Sequence, residues 1–200
     1  VLLLDKTYRF SIDIDIITKV ERSVLEQILD EIVKNSFFIK WEIDKDRSFT
    51  HNLPKAHYIL TYRQSHYGLG NTILLDVLFT ENLYPEVLDF PLVSHWLSVQ
   101  EPHLKVRIPT IDSILGDKLT AFAPNTTGIK YGIRKEVEII KQLFDISNLI
   151  ERVTNLETVY QSFINTAIKE IEFRNIEIDP SNIVEDIYTT ALILVKRDKN

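Results

Sequence analysis

Hydrophobic and polar residues alternate along the first part of the chain. Between Arg9 and Ile16 the alternation is strict, so a strand there places Ser11, Asp13 and Asp15 on one face. The isoleucines between them face the other way, toward a core. Aspartate is uncommon in strands, and two carboxylates on one face repel each other unless a cation lies between them. The pattern therefore predicts a strand with a divalent-metal site, or else a half-exposed strand that happens to carry two acids.

A helix and several strands follow. Ser23 and Glu26 match a capping box, and apolar residues then recur at helical spacing up to Val33, which predicts an amphipathic helix. His51 and His57 have no second ligand at metal-site spacing, so we interpret both as surface or loop residues. Apolar runs predict strands at 37–43, 56–62, 71–80 and 104–108.

Asp76 is the one charged residue of the strand predicted at 71–80. The strand is apolar on both faces, which is typical of a central strand. A carboxylate there needs a cation or several hydrogen-bond donors, unless the strand ends where Asp76 meets water. Two acids on one strand and a third on a neighbouring strand match the carboxylates of two-metal nucleotidyl transfer.

Beyond Ile108 every pattern is helical, which predicts a sheet-containing part at 1–108 and a helical part at 109–200. Lys118 is the one cation of a mostly apolar helix and could simply reach solvent. Lys141 and Asp145 share a helix face and could form a surface ion pair. Helices are predicted at 111–122, 136–150, 154–173 and 180–196, and the inward residues of the second are predicted to be Val137, Ile140, Leu143, Phe144 and Ile146.

Composition narrows the function classes. The 200 residues are 44% hydrophobic and 26% charged, as in a globular protein, and the net charge of −6 argues against a generally basic nucleic-acid-binding surface. The lack of cysteine excludes disulfides, thiol catalysis and cysteine-type zinc sites, and we expect a cytoplasmic protein. No apolar run approaches the ~20 residues that span a bilayer. Because the sequence contains no methionine, we expect it to begin inside a longer protein.

Four segments in one order carry a family resemblance. They are Arg-Phe-Ser-x-Asp-x-Asp at 9–15, the strand with Asp76, Ile-Leu-Gly-Asp-Lys-Leu-Thr-Ala at 114–121, and Lys-Gln-Leu-Phe-Asp at 141–145. The chain closely resembles the AbiEii/AbiGii toxin family, nucleotidyltransferases of type IV toxin–antitoxin and phage-defence systems, from Tyr8 to about Ile150. The resemblance implies an α+β fold: a polymerase-β-like mixed sheet with flanking helices, followed by an all-helical C-terminal domain.

The resemblance also implies roles for individual residues. Asp13 and Asp15 match the metal-binding pair, and Asp76 matches the third carboxylate, which acts as base or second-metal ligand. The implied cofactor is Mg²⁺ or Mn²⁺, and the implied substrate is a nucleoside triphosphate such as GTP. A tRNA or a protein would be the acceptor, a cognate antitoxin the partner, and a membrane is not expected to be involved.

The remaining implied residues bind the nucleotide or assist transfer. Lys118 matches the invariant lysine of the family's Lys-Leu-x-Ala helix, and Lys141 and Asp145 match its late basic-x-x-x-Asp motif. Together with Ser11, the two lysines are expected to bind the nucleotide, while Lys118 and Asp145 are expected to be catalytic.

The chain departs from the family pattern in two places. The glycine turn that precedes the acidic strand would fall before Val1, and Lys141 and Gln142 stand where the late motif often has Arg-Asp. Two further functions therefore stay open. One is an inactive module of the same fold that binds a nucleotide or a protein, and the other is a metal-dependent phosphodiester hydrolase.

Overall fold

The computed structural model describes residues 13–48, 54–63, 70–93 and 98–196, and the chain divides into two compact units after Asn82. This division comes earlier than the predicted boundary after Ile108. The reason is a hairpin of β5 (Val87–Pro91) and β6 (Lys105–Pro109), which forms its own two-stranded antiparallel sheet. Beside it, the buried Ser113 hydroxyl donates to the Glu86 carbonyl at 3.0 Å, which ties this segment to the helices.

The first unit is a four-stranded mixed sheet with a helix on one face. The elements in chain order are β1 (Asp13–Thr18), α1 (Arg22–Asn35), β2 (Phe38–Ile43), α2 (Lys45–Ser48), β3 (Lys55–Arg63) and β4 (Gly70–Phe79). The strands lie in the order β1-β4-β3-β2; β1 runs parallel to β4, and the other neighbouring pairs are antiparallel. The predicted central strand is confirmed, because β4 lies between β1 and β3.

One face of the sheet packs against α1. Leu25 and Leu29, four residues apart on the helix, are buried with alternate residues of the two inner strands, which are Ala56, Tyr58, Leu60, Leu75 and Val77. The period of two in the strands turns the residues between them toward the opposite face. The predicted burial of the β1 isoleucines holds only in part, because Ile16 packs against this core while Ile14 is 51% exposed.

The predicted capping box of α1 is wrong. The helix begins one residue earlier than Ser23, at Arg22, and Glu21 is its N-cap without a side-chain hydrogen bond. Packing of the apolar stripe against the sheet therefore fixes this helix, rather than a local cap.

The second unit is built around a buried central helix. Ile114, Leu115 and Phe122 form a core with residues of the next two helices. Gly116 permits the first and third helices of this unit to cross closely, since a Cβ atom there would lie 2.4 Å from the Val159 carbonyl oxygen. The helices are α3 (Ile111–Ala121), α4 (Glu136–Ile150), α5 (Leu156–Arg174) and α6 (Pro180–Lys196).

The inward face of α4 differs from the prediction. Val137, Ile140 and Phe144 are exposed, and the buried apolar residues are instead Ile139, Ile146 and Leu149. Of the predicted set, Ile146 is buried, and Leu143 is partly buried against the core. The α+β class, with a mixed sheet followed by helices, is confirmed. Within the described part of the chain, no helix has the length and apolar character that a membrane span requires.

Candidate functional site

Three carboxylates share the face of the sheet that lies opposite α1. In the parallel pairing of β1 with β4, Asp15 is opposite Asp76 and Asp13 is opposite Leu74. Residues paired across adjacent strands point to the same side of a sheet, so Asp13, Asp15 and Asp76 lie on one face, which we call the acidic face. Asp13 and Asp15 are exposed, whereas the Asp76 side chain is only 19% exposed.

Both oxygens of Asp76 contact nitrogen atoms of basic side chains. Arg47 Nη2 donates to Oδ2 at 2.7 Å, and His57 Nδ1 lies 2.8 Å from Oδ1. The β3–β4 pairing sets His57 opposite Asp76, and Arg47 belongs to the short helix α2. A carboxylate in the middle of an apolar strand is therefore compensated by charge and hydrogen bonds, as its burial requires.

A second charged cluster joins α3 and α4. Lys118 Nζ lies 3.2 Å from Asp145 Oδ2 and donates to Gln142 Oε1 at 3.1 Å. The Asp145 side chain is 2% exposed and that of Lys118 is 21% exposed, so the alternative that Lys118 simply reaches solvent is excluded. Lys141 is about half exposed and lies 3.5 Å from Glu138, one turn earlier on the same helix.

Helix α3, which carries Lys118, is anchored at several points along its length. The Thr110 hydroxyl caps the helix by accepting from the Ser113 N–H at 3.3 Å. Asp117 accepts a hydrogen bond from the Tyr84 hydroxyl at 3.0 Å, and Gly116 touches the α5 backbone as described. Lys118 thus projects from a helix whose position is fixed by its neighbours in the second unit.

The sequence family described as the nucleotidyl transferase AbiEii toxin of type IV toxin–antitoxin systems matches residues 1–192. The chain belongs to this family. The resemblance drawn from the four motif segments is therefore confirmed, and the match extends over the helical C-terminal part as well.

Two crystal structures resemble this AbiEii-family chain, both from Helicobacter pylori. A candidate nucleotidyltransferase is 18% identical, with a TM-score of 0.45, and the alignment covers 96% of this chain and 83% of that one. The protein JHP933 is 17% identical, with a TM-score of 0.47, and the alignment covers 94% and 78% of the two chains. No curated protein matches the sequence.

The acidic face of this AbiEii-family chain suits a hard divalent cation in the kind of ligand that it offers. Carboxylate oxygens are the ligands that Mg²⁺ prefers, and Asp13 and Asp15 present theirs at the surface. Among the residues that the structure describes, no three His, Cys, Asp or Glu side chains are grouped closely enough to hold a metal ion. Both oxygens of Asp76 contact basic side chains, so a metal ion bound to this carboxylate would have to replace one of these contacts. The metal role of the three acids stays a prediction, and so does the nucleotide role of Ser11, which lies outside the described residues.

Two residues of the acidic face were missed by the sequence analysis. The interpretation of His57 as a surface or loop residue is wrong, because it lies within β3, is 17% exposed and contacts Asp76. His51 lies outside the described residues. Arg47 was not singled out at all. The neighbouring sequence gave no signal for either residue, because the contacts reach across 29 and 19 positions of the chain and depend on how α2 and β3 sit beside β4.

Proposed function

We propose that the protein is a metal-dependent nucleotidyltransferase that moves a nucleoside monophosphate from a nucleoside triphosphate to an acceptor, and that it acts as the toxin of a type IV system. The observation that carries this proposal is the pairing of Asp15 with Asp76 on adjacent parallel strands, with Asp13 on the same face. Membership of the AbiEii family supports the transferase class.

In the proposed reaction an acceptor hydroxyl oxygen bonds to the α-phosphorus of the nucleotide. The bond from that phosphorus to the bridging oxygen of pyrophosphate breaks, pyrophosphate leaves, and the hydroxyl proton passes to a carboxylate of the acidic face. Asp13, Asp15 and Asp76 would hold Mg²⁺ or Mn²⁺, which supplies positive charge to the reacting phosphate oxygens. The substrate would be GTP or another triphosphate.

The charged cluster around Lys118 and Asp145 is assigned to the phosphates. A lysine ammonium is a compact charge with three donors, suited to oxygens that shift during transfer. Lys118 would bind the triphosphate, and Asp145 would orient Lys118. Ser11 and Lys141 complete the proposed nucleotide-binding set. We further propose a cytoplasmic protein whose acceptor is a tRNA or a protein and whose activity a cognate antitoxin restrains.

The test is labelling. The full chain is incubated with each labelled nucleoside triphosphate, Mg²⁺ or Mn²⁺ and a cell extract, and the labelled product and released pyrophosphate are measured. Transfer predicts pyrophosphate release without free monophosphate. Release of free monophosphate would instead identify a hydrolase, and nucleotide binding without either product would identify a binding module.

Asp13→Asn separates catalysis from folding. If Asp13 binds metal, removing its charge relieves repulsion on the acidic face, so stability stays the same or rises slightly while transfer is lost. If Asp13 is structural, the free energy of unfolding should fall by ~1–3 kcal/mol. Asp89→Asn makes the same chemical change at an exposed position of the hairpin and serves as the control. A mutant that melts several degrees lower yet retains full transfer would refute the assignment.

A further inference from the structure

Asp76 is a predicted metal ligand whose oxygens already contact basic side chains, which would compete with a metal ion. Its Oδ2 accepts from Arg47 at 2.7 Å, and its Oδ1 faces His57 at 2.8 Å, so both oxygens contact basic groups in the protein itself. A divalent ion bound to Asp76 Oδ2 would lie about 2.1 Å from that oxygen. Arg47 Nη2 lies 2.7 Å from the same oxygen, and two cations so close together repel strongly.

Of the two residues that contact Asp76, Arg47 is the one able to move. Its side chain is 41% exposed and extends from α2, a helix of four residues. The His57 side chain is 17% exposed and belongs to β3, an inner strand of the sheet. An ion that binds Asp76 would therefore displace Arg47 and leave His57 as the fixed partner of the other oxygen.

The displaced guanidinium needs a new anionic partner within reach of the acidic face. In the proposed reaction the triphosphate that arrives with the metal is such a partner. Arginine suits it because its planar group offers five N–H donors and binds phosphate oxygens in a bidentate manner.

We propose that Arg47 is a phosphate-binding residue that Asp76 holds in position until metal and nucleotide bind, and that it then transfers from the Asp76 carboxylate to the triphosphate. This inference rests on the proposed function. It predicts that Arg47 opposes metal binding in the absence of nucleotide and favours nucleotide binding in the presence of metal.

These two effects have opposite signs, and calorimetry on the full chain can measure both. Mn²⁺ alone is titrated first, and then the α,β-methylene analogue of each nucleoside triphosphate is titrated at saturating Mn²⁺. Arg47→Ala is compared with Arg63→Ala. Arg63 is exposed and lies six residues beyond His57 on β3, roughly 20 Å away along the strand. Both variants lose one positive charge, so the control accounts for the change in net charge.

We expect Arg47→Ala to bind Mn²⁺ several-fold more tightly than wild type, and to bind the analogue roughly 10- to 100-fold more weakly, as for a lost hydrogen bond to a charged group. Arg63→Ala should change neither constant. Arg47→Gln, which keeps more of the side chain, should show the same two signs and covers the case in which the alanine variant fails to fold.

Several outcomes overturn the inference. If Arg47→Ala and Arg47→Gln bind Mn²⁺ more weakly than wild type, Arg47 supports the metal site instead of competing with it. If wild type binds both ligands and the Arg47 variants behave like Arg63→Ala, the inference fails while the proposed function stands. If wild type binds neither Mn²⁺ nor any analogue, the proposed function fails and this inference fails with it.

Discussion

The buried ion pair of the second unit permits a quantitative test. In Lys118→Met a flexible apolar side chain of similar length replaces the lysine and leaves the carboxylate of Asp145, which is 2% exposed, without its ammonium partner. Removing one member of a buried pair costs about 3–5 kcal/mol. Because Lys118 itself is 21% exposed, water can reach part of the pair, and we expect a loss near the lower limit, about 3 kcal/mol.

Thermal denaturation followed by circular dichroism measures this loss. For a chain of this size each kcal/mol lowers Tm by roughly 2–4 °C, so Lys118→Met should melt roughly 6–12 °C below wild type. Lys141→Met is the matched control, because it removes a half-exposed lysine from a surface pair and should change the free energy of unfolding by less than about 1 kcal/mol.

A double-mutant cycle identifies the source of the effect. Combining Lys118→Met with Asp145→Asn removes the buried charge that the first substitution left behind, so the double variant should be less destabilised than the sum of the two single variants. If Lys118→Met melts together with Lys141→Met, or if the two single effects simply add, the pair does not stabilise the fold. Loss of transfer in Lys118→Met should be interpreted only beside this melt.

Two further predictions concern other buried groups. Asp186 accepts hydrogen bonds from the Asn125 N–H, the Asn125 side-chain amide and the Thr126 hydroxyl at 2.7–2.8 Å. Asp186→Ala should therefore lower the free energy of unfolding, measured by chemical denaturation, by about 3 kcal/mol, while Glu185→Ala at the exposed neighbouring position should change it little. Equal denaturation midpoints for the two variants would refute this prediction. Burial and the nearby Glu26 carboxylate raise the pKa of Tyr58 from 10.0 to about 12, so the folded state keeps this proton at a pH where the unfolded state loses it. The resulting stabilisation is fully present below about pH 10 and is lost as the pH rises toward 12. Across that window the free energy of unfolding of Tyr58→Phe should decline less than that of wild type. Equal declines in the two proteins would contradict the assignment.

Local periodicity was sufficient to predict most elements but not which face of a helix is buried. The strand with Asp76 was predicted as central because it is apolar on both sides, and β4 is central. In α4, by contrast, apolar residues surround the helix, so several stripes fit the core equally well. The buried stripe includes Asp145, because Lys118 on α3 lies opposite it, and a helix read alone cannot reveal a partner on another helix.

The acidic face could be predicted only as far as it depends on residues within one strand. Alternation placed Asp13 and Asp15 together, and the apolar run around Asp76 singled out the third acid. Arg47 and His57 remained hidden, because their contact with Asp76 arises from pairing of distant segments and leaves no pattern in either segment. The hairpin strand β5 was missed for a similar reason, since Val87–Pro91 is short and ends in a proline.

The pairing of β1 with β4 and of β4 with β3 has a consequence for how such a site tolerates length changes. Asp15, Asp76 and His57 form one row across three strands, and successive residues of a strand point to opposite faces. Deleting a single residue within β4, upstream of Asp76, would turn either that acid or the residues before it toward α1, so the row would be broken even though every side chain needed for it remained in the sequence. Deleting two residues would keep Asp76 on its original face but shift it by two strand positions relative to Asp15 and His57. The site is thus encoded by the parity of residue counts within strands, which an alignment that scores only residue identity does not register.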